Sequence, residues 1–143
     1  MEEINKKDYN KAINLINTSK EWPEQLGVGK PYNVDERIQD YLLFYCYSKL
    51  DNNKAEKYLK KIIDYSRSNI KNKSFSHWLG LKAIKNLEGI EASKKFSMQL
   101  SNSSHGSTEE TKWIINNFFN TKGPINQELN QNFKMINEIL MLN

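Results

Sequence analysis

Two segments of this chain repeat one another at a spacing of 37 residues: Leu50 recurs as Leu87, Ala55 as Ala92, Leu59 as Phe96 and Ile63 as Leu100. A fixed period of this size, carried by small and large apolar residues in the same order, marks helical hairpins that stack on one another. One hairpin cannot bury its apolar face alone. The expectation is an all-α chain of about seven helices in antiparallel pairs, forming one helical-repeat domain over residues 1–143.

Composition agrees with that expectation and removes several functions. The hydrophobic share is 38% and the charged share 27%, which suits a thin stack with much surface, while 3 Trp, 7 Tyr and 6 Phe argue against disorder. The net charge is +4, yet only Arg37 and Arg67 among the 21 basic residues are arginine. Specific nucleic-acid readers depend on the bidentate guanidinium fork, so nucleic acid is set aside as a partner. Cys46 is the single cysteine, which rules out an intrachain disulfide, and its apolar surroundings point to packing rather than nucleophilic chemistry. No apolar run approaches the roughly 20 residues of a membrane span, and the first residues lack the apolar core of a signal peptide. A cytoplasmic protein without membrane contact is expected.

Taken in order, residues 8–20 carry Ala12, Ile13, Leu15, Ile16 and Ser19 along one helical stripe, the second helix of a repeat whose first is missing. Residues 21–32 form a loop rich in Pro and Gly. Within it Gly27, Gly29 and Lys30 suggest a phosphate cradle, but Pro31 follows Lys30, where the phosphate-loop pattern needs Ser or Thr. A structural loop is the better reading. The repeat over 33–66 opens at Asn33 as N-cap, with Glu36 in capping-box position. Tyr41 to Tyr47 is too apolar for a single face, so this helix is expected to be contacted on several sides.

Between Lys49 and Lys73 eight basic residues face three acidic ones, a net +5 that exceeds the whole chain's +4. This is either a solvated helix face or a docking surface for an acidic partner. The second repeat, 75–101, starts with Ser74 or Ser76 as cap and carries Trp78, Leu79, Leu81, Ile84 and Leu87, with Gly80 and Ala83 as small contact points. In each hairpin the helices should cross at Ala55 and Ala92. Residues 107–143 follow, with Ser107 and Glu110 as a capping box, a break at Gly123-Pro124, and a final helix bearing Leu129, Phe133, Ile136, Ile139 and Leu140 that should cap the end of the stack.

On these residues the repeats resemble tetratricopeptide repeats, antiparallel helix pairs of about 34 residues. The resemblance implies a right-handed stack whose first helices line a concave face. It sets Tyr41, Tyr45, Ser48 and Lys49 on that face, and by the 37-residue offset Trp78, Lys82, Lys85 and Asn86. Aromatic and cationic groups on adjacent helices suit a protein or peptide ligand. Tyr41 and Trp78 fit a core role equally well. The family's peptide-terminus clamp places Asn where Tyr45 and Lys82 stand here, so the resemblance does not extend to recognition of a free carboxylate.

A narrower resemblance rests on Trp22 to Tyr32, on Asp35 to Leu43 and on the Lys49-Leu50 turn. These residues are similar to the C-terminal helical region of long bacterial proteins that carry a β-rich domain of unknown function. That resemblance implies a fragment of a longer protein and no catalytic residue.

The residues themselves point the same way. His77 and His105 have no carboxylate or thiol at ligand spacing, and Glu109-Glu110 are adjacent on a helix and diverge, so no catalytic residue, metal ligand or cofactor site is expected. The function read from the sequence is a non-catalytic scaffold that binds protein or peptide through Tyr41, Tyr45, Lys49, Trp78, Lys82 and Lys85. The alternative is a structural appendage that packs on an enzymatic or carbohydrate-binding domain of the same polypeptide.

Overall fold

Helical periodicity governs the whole described chain. A computed structural model describes residues 1–21, 31–51, 53–119 and 131–142. Among these it holds α1 (Glu2–Asn5), α2 (Tyr9–Ser19), α3 (Arg37–Lys49), α4 (Ala55–Ser68), α5 (His77–Glu88), α6 (Ile90–Ser101), α7 (Glu109–Phe118) and α8 (Gln131–Leu140), with no strand. The protein is all-α. Each helix from α2 to α7 packs on its neighbours in sequence, and α3, α5 and α7 also touch one another in order. The expected loop from Trp22 to Lys30, the break at Gly123-Pro124, Leu129, and the side chains of Phe133 and Leu140 lie outside the described residues.

The start of α2 follows local rules. The Asp8 carboxylate accepts a hydrogen bond from the Lys11 N–H at 3.1 Å, which satisfies one of the first-turn amides. Ala12 and Ile13 are buried, but Leu15 is 55% exposed. It does not belong to the stripe, because two residues turn a helix by about 200° and carry Leu15 to the side away from Ile13.

Two expected caps move for identifiable reasons. Asn33 has φ 66°, a left-handed conformation that an N-cap does not adopt, and α3 begins at Arg37 instead. At α7 the cap is Thr108 rather than Ser107: its hydroxyl accepts from the Thr111 N–H and also lies 2.8 Å from the His105 carbonyl, to which it can donate. At α5 Ser76 holds the N-cap position without a side-chain cap bond, and the Ser74 hydroxyl accepts from the Ser76 N–H at 3.2 Å.

The core is one cluster running from Ile4 to Ile139. The buried residues of α3, namely Arg37, Asp40, Tyr41, Leu42, Leu43 and Cys46, go round the helix, as expected of an element contacted by α2, α4, α5 and α8. Ala55 and Ala92 are only half-buried, so they are not the tight crossings. A close approach lies between α4 and α5, where a Cβ on Gly80 would meet Ser66 Oγ at 2.4 Å and Ser66 Cβ at 2.8 Å. Ser66 is fully buried and accepts a hydrogen bond from Arg37, which restrains it from giving way. Gly80→Ala should therefore lower stability by about 1 to 3 kcal/mol through overpacking. An unchanged urea midpoint would show that the helices can separate there at no cost.

The last helix departs from the expected plan. Its Ile136 and Ile139 are fully buried, and among the described residues its principal contact is with α3, near the other end of the chain, rather than with α7.

Candidate protein-binding face

Residues chosen from the sequence for a concave face lie on α3 and α5, and the structure brings most of them together around Lys82. The Lys82 Nζ sits 5.5 Å from the centroid of the Tyr41 ring and 4.8 Å from that of Trp78, so one ammonium bridges two aromatic rings on neighbouring helices. Burial holds the Lys82 pKa below its ordinary value, and the neighbouring charge of Lys85 lowers it further. Farther along α3, Lys49 Nζ lies 5.1 Å over Tyr45, and on the α7 side Lys85 Nζ lies 5.8 Å over Phe118. The result is a ladder of four amine-on-ring contacts, made by three lysines, across α3, α5 and α7. Phe118 was not among the face residues read from the sequence, because its segment falls outside the repeat.

The rungs differ in depth. Tyr41 is 6% exposed and Trp78 4%, so both are core contacts rather than open anchors. Burial pushes the Tyr41 phenol up to about 12, and the Trp78 Nε1 is buried with no hydrogen-bond partner among the described residues. Tyr45 is half-buried, edge-on to Tyr9 with centroids 6.4 Å apart. Lys49 and Lys85 are exposed and Lys82 intermediate. Ser48 turns back on its own helix, its hydroxyl donating to the Tyr45 carbonyl at 2.7 Å, and Asn86 is exposed.

A second cluster, which local sequence rules miss, surrounds Arg37. This side chain is 1% exposed. Its Nε donates to Asp35 Oδ1 and its Nη2 to Asp35 Oδ2, both at 2.8 Å. Nη1 donates to Ser66 Oγ at 3.1 Å and Nη2 to Ser74 Oγ at 3.1 Å. Nη1 also lies 3.0 Å from His77 Nδ1, and His77 Nε2 lies 2.8 Å from the Asn72 carbonyl. An arginine only donates and a carbonyl only accepts, so the imidazole is neutral with its proton on Nε2.

Burial and the Arg37 charge hold His77 down at about 4. Burial alone would raise the Asp35 pKa, but hydrogen bonds and charge from Arg37 outweigh it and leave the carboxyl below its ordinary value. The guanidinium also lies 5.0 Å from the Tyr65 ring centroid, and Tyr65 Oη donates to the Asn33 carbonyl at 3.1 Å. The cluster ties residues 33–37 to α4 and to the start of α5. The available signal was the rarity of arginine in a lysine-rich chain, since a buried fork is a reason to prefer Arg over Lys.

The basic stretch between Lys49 and Lys73 divides among partners within the fold. Lys60 pairs with Glu56 at 2.6 Å, Arg67 with Glu88 at 2.6 Å and Lys73 with Glu110 at 2.7 Å, while Lys57 and Lys61 lie over Tyr58. Arg67, Ile70 and Lys71 face Gln99, Asn102 and Ser103 across an open cavity of about 550 Å3 between the ends of α4 and α6. Cys46 is fully buried and its thiol is pushed up to about 11 by burial, which leaves it unreactive. Among the described residues no group of His, Cys, Asp and Glu is arranged to hold a metal, and no helix is long and apolar enough to cross a membrane. No protein-family model matches the chain, and no curated protein or solved structure matches it either.

Proposed function

We propose that the chain is a cytoplasmic, non-catalytic scaffold of tetratricopeptide-like repeats whose α3, α5 and α7 face binds a segment of another protein or of another domain. The observation that carries this reading is the ladder of lysine amines on aromatic rings across those three helices. A half-buried ring supplies contact area at little entropic cost, and exposed ammonium groups beside it supply charge-assisted hydrogen bonds to carbonyl and carboxylate oxygens. Tyr41 and Trp78 act from beneath, by holding Lys82 and spacing α3 from α5. Tyr45, Lys49, Lys82 and Lys85 are the residues that meet the ligand. The appendage alternative gains no support from α2, where Leu15 is the sole exposed large apolar residue, and a lone exposed leucine is ordinary on a monomer.

The test is selection of peptides from a displayed library on the immobilised chain, followed by titration of the winners against variants. Tyr45→Ala should weaken them by about 2 kcal/mol, as expected for an aromatic anchor. Lys85→Ala should weaken them less, and mainly at low salt. Selected peptides that bind Tyr45→Ala and Lys85→Ala as tightly as the parent would remove this face as the binding surface.

A further inference from the structure

We infer that the groove between α4 and α6 is a second docking site, and that its occupant is an extended segment of another protein, acidic at one end and basic at the other. It is independent of the lysine–aromatic face. That face is built on α3, α5 and α7, whereas this groove is built on the second helices of the two hairpins.

Both α4 and α6 pack on α5, and open space is left between them. Three cavities follow one another there. One of about 550 Å3 lies at the ends of α4 and α6, a second of about 380 Å3 lies beside it over Ala92 and Phe96, and a third of about 330 Å3 lies between α4 and the end of α5. Arg67 lines all three, Gln99 is common to the first two and Glu88 to the last two, so they make one continuous groove. Its α4 wall runs from Glu56 to Arg67, about 17 Å at about 1.5 Å per residue, and an extended chain covers that length and the cavity beyond with about seven residues.

Charge divides the groove. The largest of the three cavities is lined by Arg67 and Lys71 with no carboxylate among the described residues, and Lys95 stands in the next. At the opposite end Glu56, Asp64 and Glu88 outnumber Lys60 and Arg67. The amines of Lys71 and Lys95 and the side-chain amides of Gln99 and Asn102 are exposed and make no ion pair or hydrogen bond with other described residues. Arg67 gives only Nη2 to Glu88, at 2.6 Å, which leaves Nε and Nη1 for a ligand carboxylate. Carbonyls that would repel an anion at this end are already occupied: that of Tyr65 accepts from the Asn69 N–H and side-chain amide, and that of Leu100 from the Ser103 N–H and hydroxyl.

Unmatched cations at one end and surplus carboxylates at the other call for the opposite charges in the occupant. The amides of Gln99 and Asn102 each offer donors and an acceptor, as a peptide backbone requires. A nucleic acid fits less well. The described lining holds a single arginine, and its one aromatic ring, Phe96, is 2% exposed and gives bases nothing to stack on.

The test is titration of the full chain with a fluorescein-labelled peptide, Glu-Glu-Gly-Ser-Gly-Lys-Lys, and with its reversed sequence, so that both chain directions are probed. At low salt one of the two should bind saturably and at least about ten-fold more tightly than the same peptide with glutamine for glutamate, and the preference should fade as salt rises. The variant K71E/K95E should lose that preference and transfer it to the peptide with lysine for glutamate. The variant K7E/K11E removes the same charge outside the groove and should bind as the parent does. The inference is overturned by an absence of saturable binding up to about 1 mM, by equal losses in the two double variants, or by an oligothymidylate that displaces the peptide more readily than unlabelled peptide does.

If K71E/K95E loses its helical circular dichroism, amide chemical shifts of the parent decide. The peptide should move those of Arg67, Lys71, Lys95, Gln99 and Asn102 and leave those of Tyr45, Lys82 and Lys85 in place. Any other pattern overturns the inference, and the reverse one would seat the peptide on the lysine–aromatic face.

Discussion

Arg37→Met should cost about 3 to 5 kcal/mol of stability, the range observed when one partner of a buried ion pair is removed. The replacement has nearly the right length and no donor. It leaves the Asp35 carboxylate without its two 2.8 Å hydrogen bonds and deprives Ser66, Ser74 and His77 of the same donor. Because domains of this size are stable by only about 5 to 15 kcal/mol, the loss is a large part of the total. Arg37→Lys should recover little, since one ammonium cannot serve a carboxylate, two hydroxyls and an imidazole nitrogen together. Chemical denaturation of the three proteins checks this. An Arg37→Met variant within 1 kcal/mol of the parent, on the roughly 1 kcal/mol scale of ordinary substitutions, would mean that the cluster holds nothing together.

Acid should act on the same cluster from its other side. The folded protein holds His77 at about 4 against an ordinary 6.5, so the unfolded chain binds the extra proton first as pH falls. Stability from this residue is fully present above about 6.5 and is lost progressively as pH falls toward about 4. The gap corresponds to about 3 kcal/mol at 1.36 kcal/mol per unit, an order-of-magnitude figure. Asp35, whose folded pKa lies below 3.8, adds a further loss only under more acidic conditions. His77→Gln keeps an amide donor for the Asn72 carbonyl and an acceptor for Arg37 without a titrating group. Its unfolding free energy should be flatter than the parent's between pH 6.5 and 4, and parallel curves in that window would show that His77 does not carry the effect.

Much of the fold was legible because it is local. The excess of apolar residues from Tyr41 to Tyr47 predicted that α3 is contacted on several sides, and the recurrence of Leu59 as Phe96 and of Ile63 as Leu100 marks four buried positions. The same recurrence misled at the turns. Leu50 is exposed and Ala55 and Ala92 are half-buried, because those positions lie where the hairpins reverse rather than where helices cross. Glu36 read as part of a capping box with Asn33, yet it is the neighbouring Asp35 carboxylate that has the structural role, serving Arg37, whose other partners are 29 to 40 residues away. No local rule detects such partners.

The resemblance to tetratricopeptide repeats, carried on by the 37-residue offset, chose Tyr41, Tyr45, Lys49, Trp78, Lys82 and Lys85 for the candidate face, and it did not separate the buried Tyr41 and Trp78 from the rest. Depth depends on which helix lies over a residue, and the return of α8 to α3 has no counterpart in the repeat pattern.

The joint between α5 and α6 has a mechanical consequence. One helix ends at Glu88 and the next begins at Ile90, so Gly89 alone, at φ 93° and ψ 173°, makes the reversal. A twelve-residue helix is about 18 Å long, and a 10° change in its direction at one end moves the other by about 3 Å. At that far end Gln99, Asn102 and Ser103 face Arg67 and Lys71 across the cavity between α4 and α6. A change in the two torsions of this single glycine would therefore be felt at the opposite end of α6, in the width of a cleft that Gly89 takes no part in lining.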